Sequence, residues 1–270
     1  MAGLLLFYGI PFIGGIWYSV TDGSLKNEFV GLNNYVSVWQ NPMFQLGLKN
    51  ALELSLICAP LLFLLSFLLA AGLHRMRPAG AFFRSSVLMP YLMPSSAVLI
   101  IWLLWFDYGG PVNHILVALG GQRVDWLLGA ELRIPVILLF LWKNLGYNMI
   151  LFMSGLHNIP KELLEYADVE GASEWYKFWA IKLRYLSPTV LFVTILSLIN
   201  SFKIFREVYL LAGNYPYETL YTLQHFMNNM FNALDYQKLS AAALIMAVFM
   251  IALIALLFAV EDWFGKDVEG

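Results

Sequence analysis

The sequence predicts an all-α fold, a polytopic membrane bundle of about six transmembrane helices, and three observations carry that reading. Of its 270 residues 60% are hydrophobic, and the mean hydropathy is +0.69, too apolar for a soluble domain of this size. Apolar runs long enough to cross a hydrocarbon core of about 30 Å at 1.5 Å per residue recur between polar intervals. Trp102, Trp105 and Trp126 lie near the ends of such runs, as an interfacial aromatic belt requires. A formal charge of −2 excludes a strongly basic surface, so neither nucleic acid nor anionic lipid is the main partner. The single cysteine, Cys58, cannot form an internal disulfide and reads as a small buried residue.

The first span is residues 4–20, broken by Pro11 and two glycines. It is read as a span rather than a signal peptide, because no basic segment precedes it and no small-residue cleavage pattern comes after it. Since the chain begins almost inside the membrane, a longer cytoplasmic tail is expected ahead of it in the whole protein. Residues 21–49 are polar and aromatic, with turn signals at Asp22-Gly23 and Asn41-Pro42, and read as an outer loop with short surface helices. The second span, 51–73, ends at His74, Arg75, Arg77 and Arg84, a dense basic loop that argues for the cytoplasmic side. In the third, 87–106, Pro90 and Pro94 predict a kink whose freed carbonyls neighbouring helices must satisfy. A second outer loop is expected at 107–133.

The fourth span, 134–156, carries Lys143, Asn144, Gly146, Tyr147 and Asn148 near the bilayer midplane. A charge there costs roughly 2.5 to 3.5 kcal/mol on insertion scales. Two readings fit: these side chains line a wet path, or Lys143 reaches toward the interface while the amides bind neighbouring helices. The fifth span, 188–205, ends in Asn200, Ser201, Lys203, Arg206 and Glu207. The last is 240–260, trailed by Glu261, Asp262 and Asp267. Six spans place both ends on one side.

One interval breaks the apolar pattern, NIPKELLEYADVEGASEWYKFWAIKLRYLSP at 158–188. It predicts two short helices with a bend. Asn158 is expected to cap the first, Pro160 to open it, and Glu162 to meet the positive end of its dipole. Leu163, Leu164 and Ala167 form one apolar stripe; Trp175, Phe178, Trp179 and Ile181 form the next. Gly171 is free to adopt a left-handed conformation, and Ser173 can cap the second helix. The pattern fits a docking device, and it also fits a solvated or lipid-surface helix.

At these residues the chain resembles the permease subunits of binding-protein-dependent ABC importers, in particular the maltose-type branch that carries sugars. The signature of that family is Glu-Ala-Ala, two residues, Asp-Gly-Ala, then a spaced Phe, Ile and Leu-Pro. Glu165, Ala167, Gly171, Ala172, Phe178, Ile181, Leu183 and Pro188 match it; Tyr166, Glu170 and Arg184 depart from it. The segments FVGLNNYVSVW and SFKIFREVYLLAG also resemble that branch, with Arg206 standing where an acid is usual. The resemblance implies a type I ABC importer transmembrane domain over residues 1–270, with a cytoplasmic coupling loop at 158–188. It implies that Glu165, Ala167, Glu170, Gly171, Ala172 and Phe178 meet an ATPase. It further implies that Asn144, Gly146, Tyr147, Asn148, Asn200, Ser201 and Lys203 belong to the path of a sugar or oligosaccharide. The implied partners are a second permease forming a heterodimer, two ATP-binding subunits and an extracytoplasmic solute-binding protein, in the plasma membrane of a prokaryote.

No Gly-rich phosphate loop ending in Gly-Lys-Ser/Thr is present, so the chain cannot bind ATP in the P-loop manner, and the resemblance implies that a partner subunit is the ATPase. His74, His114, His157 and His225 lack metal spacing, and no cofactor or catalytic residue is expected. The alternatives are a secondary transporter of small solutes, which would need mid-span coupling acids and inverted repeats, and an importer of a polyol or glycerol phosphate ester.

Overall fold

The computed structural model describes residues 3, 5–24, 26–75 and 80–265; Leu4, Arg77 and Asp267 therefore lie outside the described residues. The helices in chain order are α1 (Leu5–Ser19, opening with a π turn), α2 (Asn33–Trp39), α3 (Pro42–Arg75), α4 (Gly80–Leu92), α5 (Ser95–Phe106), α6 (Pro111–Ala118) and α7 (Arg133–His157). They continue with α8 (Lys161–Val169), α9 (174–185, with a π turn at Phe178–Lys182), α10 (Ser187–Phe202), α11 (Phe205–Ala212), α12 (Leu223–Asn232) and α13 (Tyr236–Gly265). Among the described residues five helical stretches are long and apolar enough to cross a membrane: Pro42–Leu73, Ser95–Ala118, Gly129–His157, Ser187–Ala212 and Tyr236–Asp262. α1 is a shorter apolar helix.

Several boundaries differ from the sequence expectation for local reasons. The helix expected at 51 begins at Pro42, where the missing proline N–H costs nothing in a first turn and the Asn41 side chain accepts from the Met43 amide at 2.9 Å. The third span is two helices rather than one kinked helix. Pro94 takes an extended ψ of 133° and becomes the cap residue of α5, while Pro90 is accommodated inside α4. The expected loop at 107–133 contains α6, whose return is held by buried Asn113. Its amide donates to the carbonyls of Tyr108 and Val124 and accepts from Val124 N and Trp126 Nε1.

The chain divides into two compact units. The first is Met1–Glu53 with Val208–Leu253. In it Phe44 packs edge-on against Phe226, and Gly47 touches the backbone of Thr222 and Leu223, where a Cβ would sit 3.0 Å from both. The Asn50 amide donates to the carbonyls of Glu218 and Tyr221, closing that crossing. Asn34 donates to the Ser19 and Thr21 carbonyls and so satisfies the end of α1. Buried His225 accepts the Thr222 N–H on Nδ1 at 3.1 Å, which assigns the proton of its neutral form to Nε2; burial lowers its pKa to about 4.

The second unit is Leu54–Glu207 with Ile254–Gly270. Its apolar centre is Ala70, Leu73, Met149, Phe152 and Val193, with Phe63 and Phe67 set edge-on against Phe152. Trp102 on α5 donates to the Pro135 carbonyl of α7 and lies beside Trp142. This unit holds every residue singled out from the sequence for function.

Candidate functional site

The first candidate region is the hairpin of α8 and α9. α7 stops at Asn158 because Pro160 bars Ile159 from the helical region, so Asn158 is the C-cap of α7 and not the N-cap of α8. Pro160 itself is the cap residue of α8, with no side-chain cap bond. Glu162 lies in the first turn of α8 as expected. At the other end Gly171 has φ +72°, the Ala172 N–H reaches the Ala167 carbonyl at 2.9 Å, and the Gly171 N–H reaches Asp168 at 3.1 Å. That is a Schellman closure, and it defines why glycine stands there. A Cβ on Gly171 would meet nothing within 4 Å, so its need is conformational. Ser173 then caps α9 by accepting from the Tyr176 N–H.

Charge reinforces the bend. Lys177 is ion-paired with both Asp168 and Glu174, and Lys182 reaches the second oxygen of Glu174 at 3.3 Å. Hydrogen bonds to Asp168 and then Glu174 raise the Lys177 pKa; hydrogen bonds from Lys177 and then Lys182 lower that of Glu174. Phe178 turns inward onto Phe67 of α3, with ring centroids 5.8 Å apart, and Phe67 lies 5.5 Å from Phe152 of α7. The hairpin is thus packed by its motif phenylalanine onto α3, and through Phe67 it is linked to α7. Its other face is open: Glu165, Tyr166, Glu170, Trp175, Tyr176 and Trp179 are exposed, and Val169 is 88% exposed. Half of the expected stripe of α9, Trp175 and Trp179, therefore faces outward; Ala167, Ala172 and Phe178 are half-buried.

The second region is the antiparallel crossing of α7 with α10. Gly155 lies against Leu186 and Thr189, where a Cβ would come within 2.6 Å of Thr189 Oγ1. One step outward Asn148, 1% exposed, donates to Ser197 Oγ at 2.8 Å. Farther along, the Asn200 side-chain amide donates to Asn144 Oδ1 at 3.3 Å, and the Asn144 side-chain amide donates to the Phe140 carbonyl. Ser201 pairs with Ser55 of α3 at 2.7 Å. Gly146 faces α4, where a Cβ would overlap the Val87 carbonyl oxygen, and Tyr147 stacks on Tyr91 with centroids 4.8 Å apart. These are the contacts that small and polar residues make between membrane helices.

The structure thus brings Asn144, Asn148, Asn200 and Ser201 into one polar strip and gives Gly146 a packing role. Lys203 lies exposed beyond the strip. Sequence reasoning missed the partner of Lys143: its ammonium pairs with Glu207 at 3.2 Å and donates to Ser95 Oγ, with 15% and 14% of the two charged side chains exposed. It also missed Ser55 and Ser197. A detectable signal existed, since Thr194, Ser197 and Ser201 repeat at helical spacing and mark one polar edge of α10. Among the described residues no cluster of three or more His, Cys, Asp or Glu could hold a metal ion.

Comparison with known proteins identifies the family of the chain. The family model described as binding-protein-dependent transport system inner membrane component matches residues 63–270. The arabinooligosaccharides transport system permease protein AraP of Bacillus subtilis (strain 168) is 31% identical over 240 residues, 85% of this chain and 75% of its own length. The sn-glycerol-3-phosphate transport system permease protein UgpA of Agrobacterium fabrum is 30% identical over 237 residues, 87% and 81% of the two chains. Among solved structures, a chain of a bacterial alginate ABC transporter in complex with an alginate pentasaccharide-bound periplasmic protein superposes with a TM-score of 0.85 at 22% identity, covering 98% of this chain and 92% of the other.

Proposed function

The chain belongs to the binding-protein-dependent transport system inner membrane components, the permease subunits of ABC importers, and from that premise we propose that it moves a sugar or oligosaccharide delivered by a solute-binding protein. The observation that carries the coupling part is the hairpin 158–188, closed at Gly171, anchored inward through Phe178 and exposed on its other face. Residues 1–270 act as one transmembrane domain in the plasma membrane of a prokaryote. A second permease completes a heterodimer, and one of two ATP-binding subunits seats on the hairpin of this chain through Glu165, Ala167, Glu170, Gly171, Ala172 and Phe178. Exposed Glu165 meets a basic residue of the ATPase, while Gly171 and Phe178 shape and anchor the hairpin. ATP-driven closure moves α8 and α9 as a rigid lever and switches the bundle between inward-open and outward-open packings. In the outward-open packing Asn144, Gly146, Tyr147, Asn148, Asn200, Ser201 and Lys203 line the solute path.

A saccharide as cargo is supported by the arabinooligosaccharide and alginate relatives. A second reading, a glycerol phosphate ester, is favoured by the sn-glycerol-3-phosphate relative and by exposed Lys203 and Arg206 after α10. The test is uptake by the complex purified through a tag on this chain and reconstituted with its binding protein in ATP-loaded vesicles. Offered arabinooligosaccharides, alginate oligosaccharides and sn-glycerol-3-phosphate separately, it is expected to accumulate a saccharide only when ATP is inside. Accumulation of sn-glycerol-3-phosphate alone selects the second reading. Solute movement by the isolated polypeptide contradicts both.

A further inference from the structure

We propose that Lys177 is a positioning residue for energy coupling, an internal strut that fixes the angle between α8 and α9; this rests on the coupling role assigned to the hairpin. Its side chain is 7% exposed, yet its ammonium holds one carboxylate from each side of the bend, Asp168 from the last turn of α8 and Glu174 from the first turn of α9. A lysine so buried is tolerated only when paired and hydrogen-bonded, and here both partners are charged. The two carboxylate side chains are turned toward solvent, 60% and 67% exposed, while the lysine between them is enclosed.

Remove the ammonium and two like charges face each other across the bend, which then favours opening. The Schellman closure at Gly171 fixes the local backbone, and the Ser173 cap fixes the start of α9. Neither ties the body of α9 back to α8. Lys177 does so one turn into α9, immediately before Phe178 plugs onto Phe67. A push on the exposed face of α8 is therefore transmitted to the Phe67 contact through this ammonium, without the angle collapsing. Lys182 extends the same network along α9 through Glu174.

The test uses the reconstituted complex and two readouts. Spin labels at Glu162→Cys and Tyr185→Cys report the α8–α9 distance distribution. ATP hydrolysis with and without the binding protein reports coupling. Lys177→Met is expected to broaden the distribution and to cut binding-protein stimulation about tenfold, the scale of two charge-assisted contacts discounted for the exposure of their carboxylates. Asp168→Asn with Glu174→Gln is expected to do the same, and adding Lys177→Met to that pair to do no more. Because the carboxylates are exposed, the pair carries the test should Lys177→Met fail to assemble. Unchanged width and stimulation in both variants, with Gly171→Val losing stimulation, overturns the strut and leaves the hairpin as the coupling element. If Gly171→Val also keeps full stimulation, the coupling role itself falls. A purely structural lysine would lower the yield of complex while leaving stimulation per complex and the distance width unchanged, which also overturns the proposal.

Discussion

The hairpin 158–188 and the α7–α10 crossing use polar side chains in opposite ways. In the hairpin they are charged, sit at the rim of water and fix a shape: Schellman closure, serine cap and lysine strut all act on one bend. At the crossing they are neutral amides and hydroxyls, buried at Asn148, Ser197, Ser201 and Ser55 and half-buried at Asn144 and Asn200, and they satisfy one another across helices that glycines let approach closely. The first arrangement suits a surface that must be rigid and still be met by a partner. The second suits an interface that can exchange one set of weak partners for another, since a hydrogen bond between membrane helices contributes only about 0.6 kcal/mol on average. Rigid hairpin and exchangeable crossing are the two properties an alternating pathway driven from outside requires.

Four substitutions or conditions would sharpen or break that contrast. The largest effect is expected where the crossing departs from neutrality. Lys143→Met leaves half-buried Glu207 with the Ser95 hydroxyl at 3.3 Å in place of its ion pair and should lower the unfolding midpoint in detergent, by a cost of about 3 kcal/mol. Adding Glu207→Gln should recover most of it, and an additive loss would mean the two charges are not a pair. Next comes the bend: Gly171→Val forces a branched side chain into a left-handed conformation at roughly 1 to 2 kcal/mol and should abolish uptake, whereas Gly171→Asn, which tolerates that region, should keep it. Equal loss in both would make space, not backbone angle, the reason for glycine. A smaller change is expected from Ser55→Ala, about 0.6 kcal/mol in thermal stability, because Ser201 keeps its bond to the Leu198 carbonyl.

The smallest is the response of the hairpin to pH. Glu174 is held below its ordinary 4.5, so its share of the network is present above that value and is lost as pH falls through the lowered one. Lys177 is held above its ordinary 10.5, so its share is present below that value and is lost as pH rises through the raised one. Proteolysis of the hairpin should therefore accelerate at both extremes, while the amide and hydroxyl pairs of the crossing, having nothing to titrate, stay closed.

How much can be read from the residues alone depends on the range of the forces involved. The bend is legible because its causes are local: Gly171 supplies the positive φ and Ser173 the cap, each within a few residues of its effect. Apolar length likewise marks the spanning helices. The cap role expected of Asn158 fails because capping depends on one residue of register, and Pro160 moves the restart of the helix beyond its reach. The partners of Asn148, Asn144, Ser201 and Lys143 are not legible, since Ser197, Asn200, Ser55 and Glu207 stand 49 to 146 positions away and only the packing of α3, α7, α10 and α11 brings them near. Polar residues at depth announce a special region; which of them meet is a matter of tertiary contact.

The measurement that bears most directly on the central claim is cross-linking at the exposed tip of the hairpin. Cys58 is buried and is the only native cysteine, so Val169→Cys gives a single reactive site. In the reconstituted complex that cysteine is predicted to cross-link to the ATPase, to arrest uptake when linked, and to resist a membrane-impermeant thiol reagent applied from the side of the binding protein. Labelling from that side, or a link that leaves uptake intact, would contradict entry of force through this hairpin.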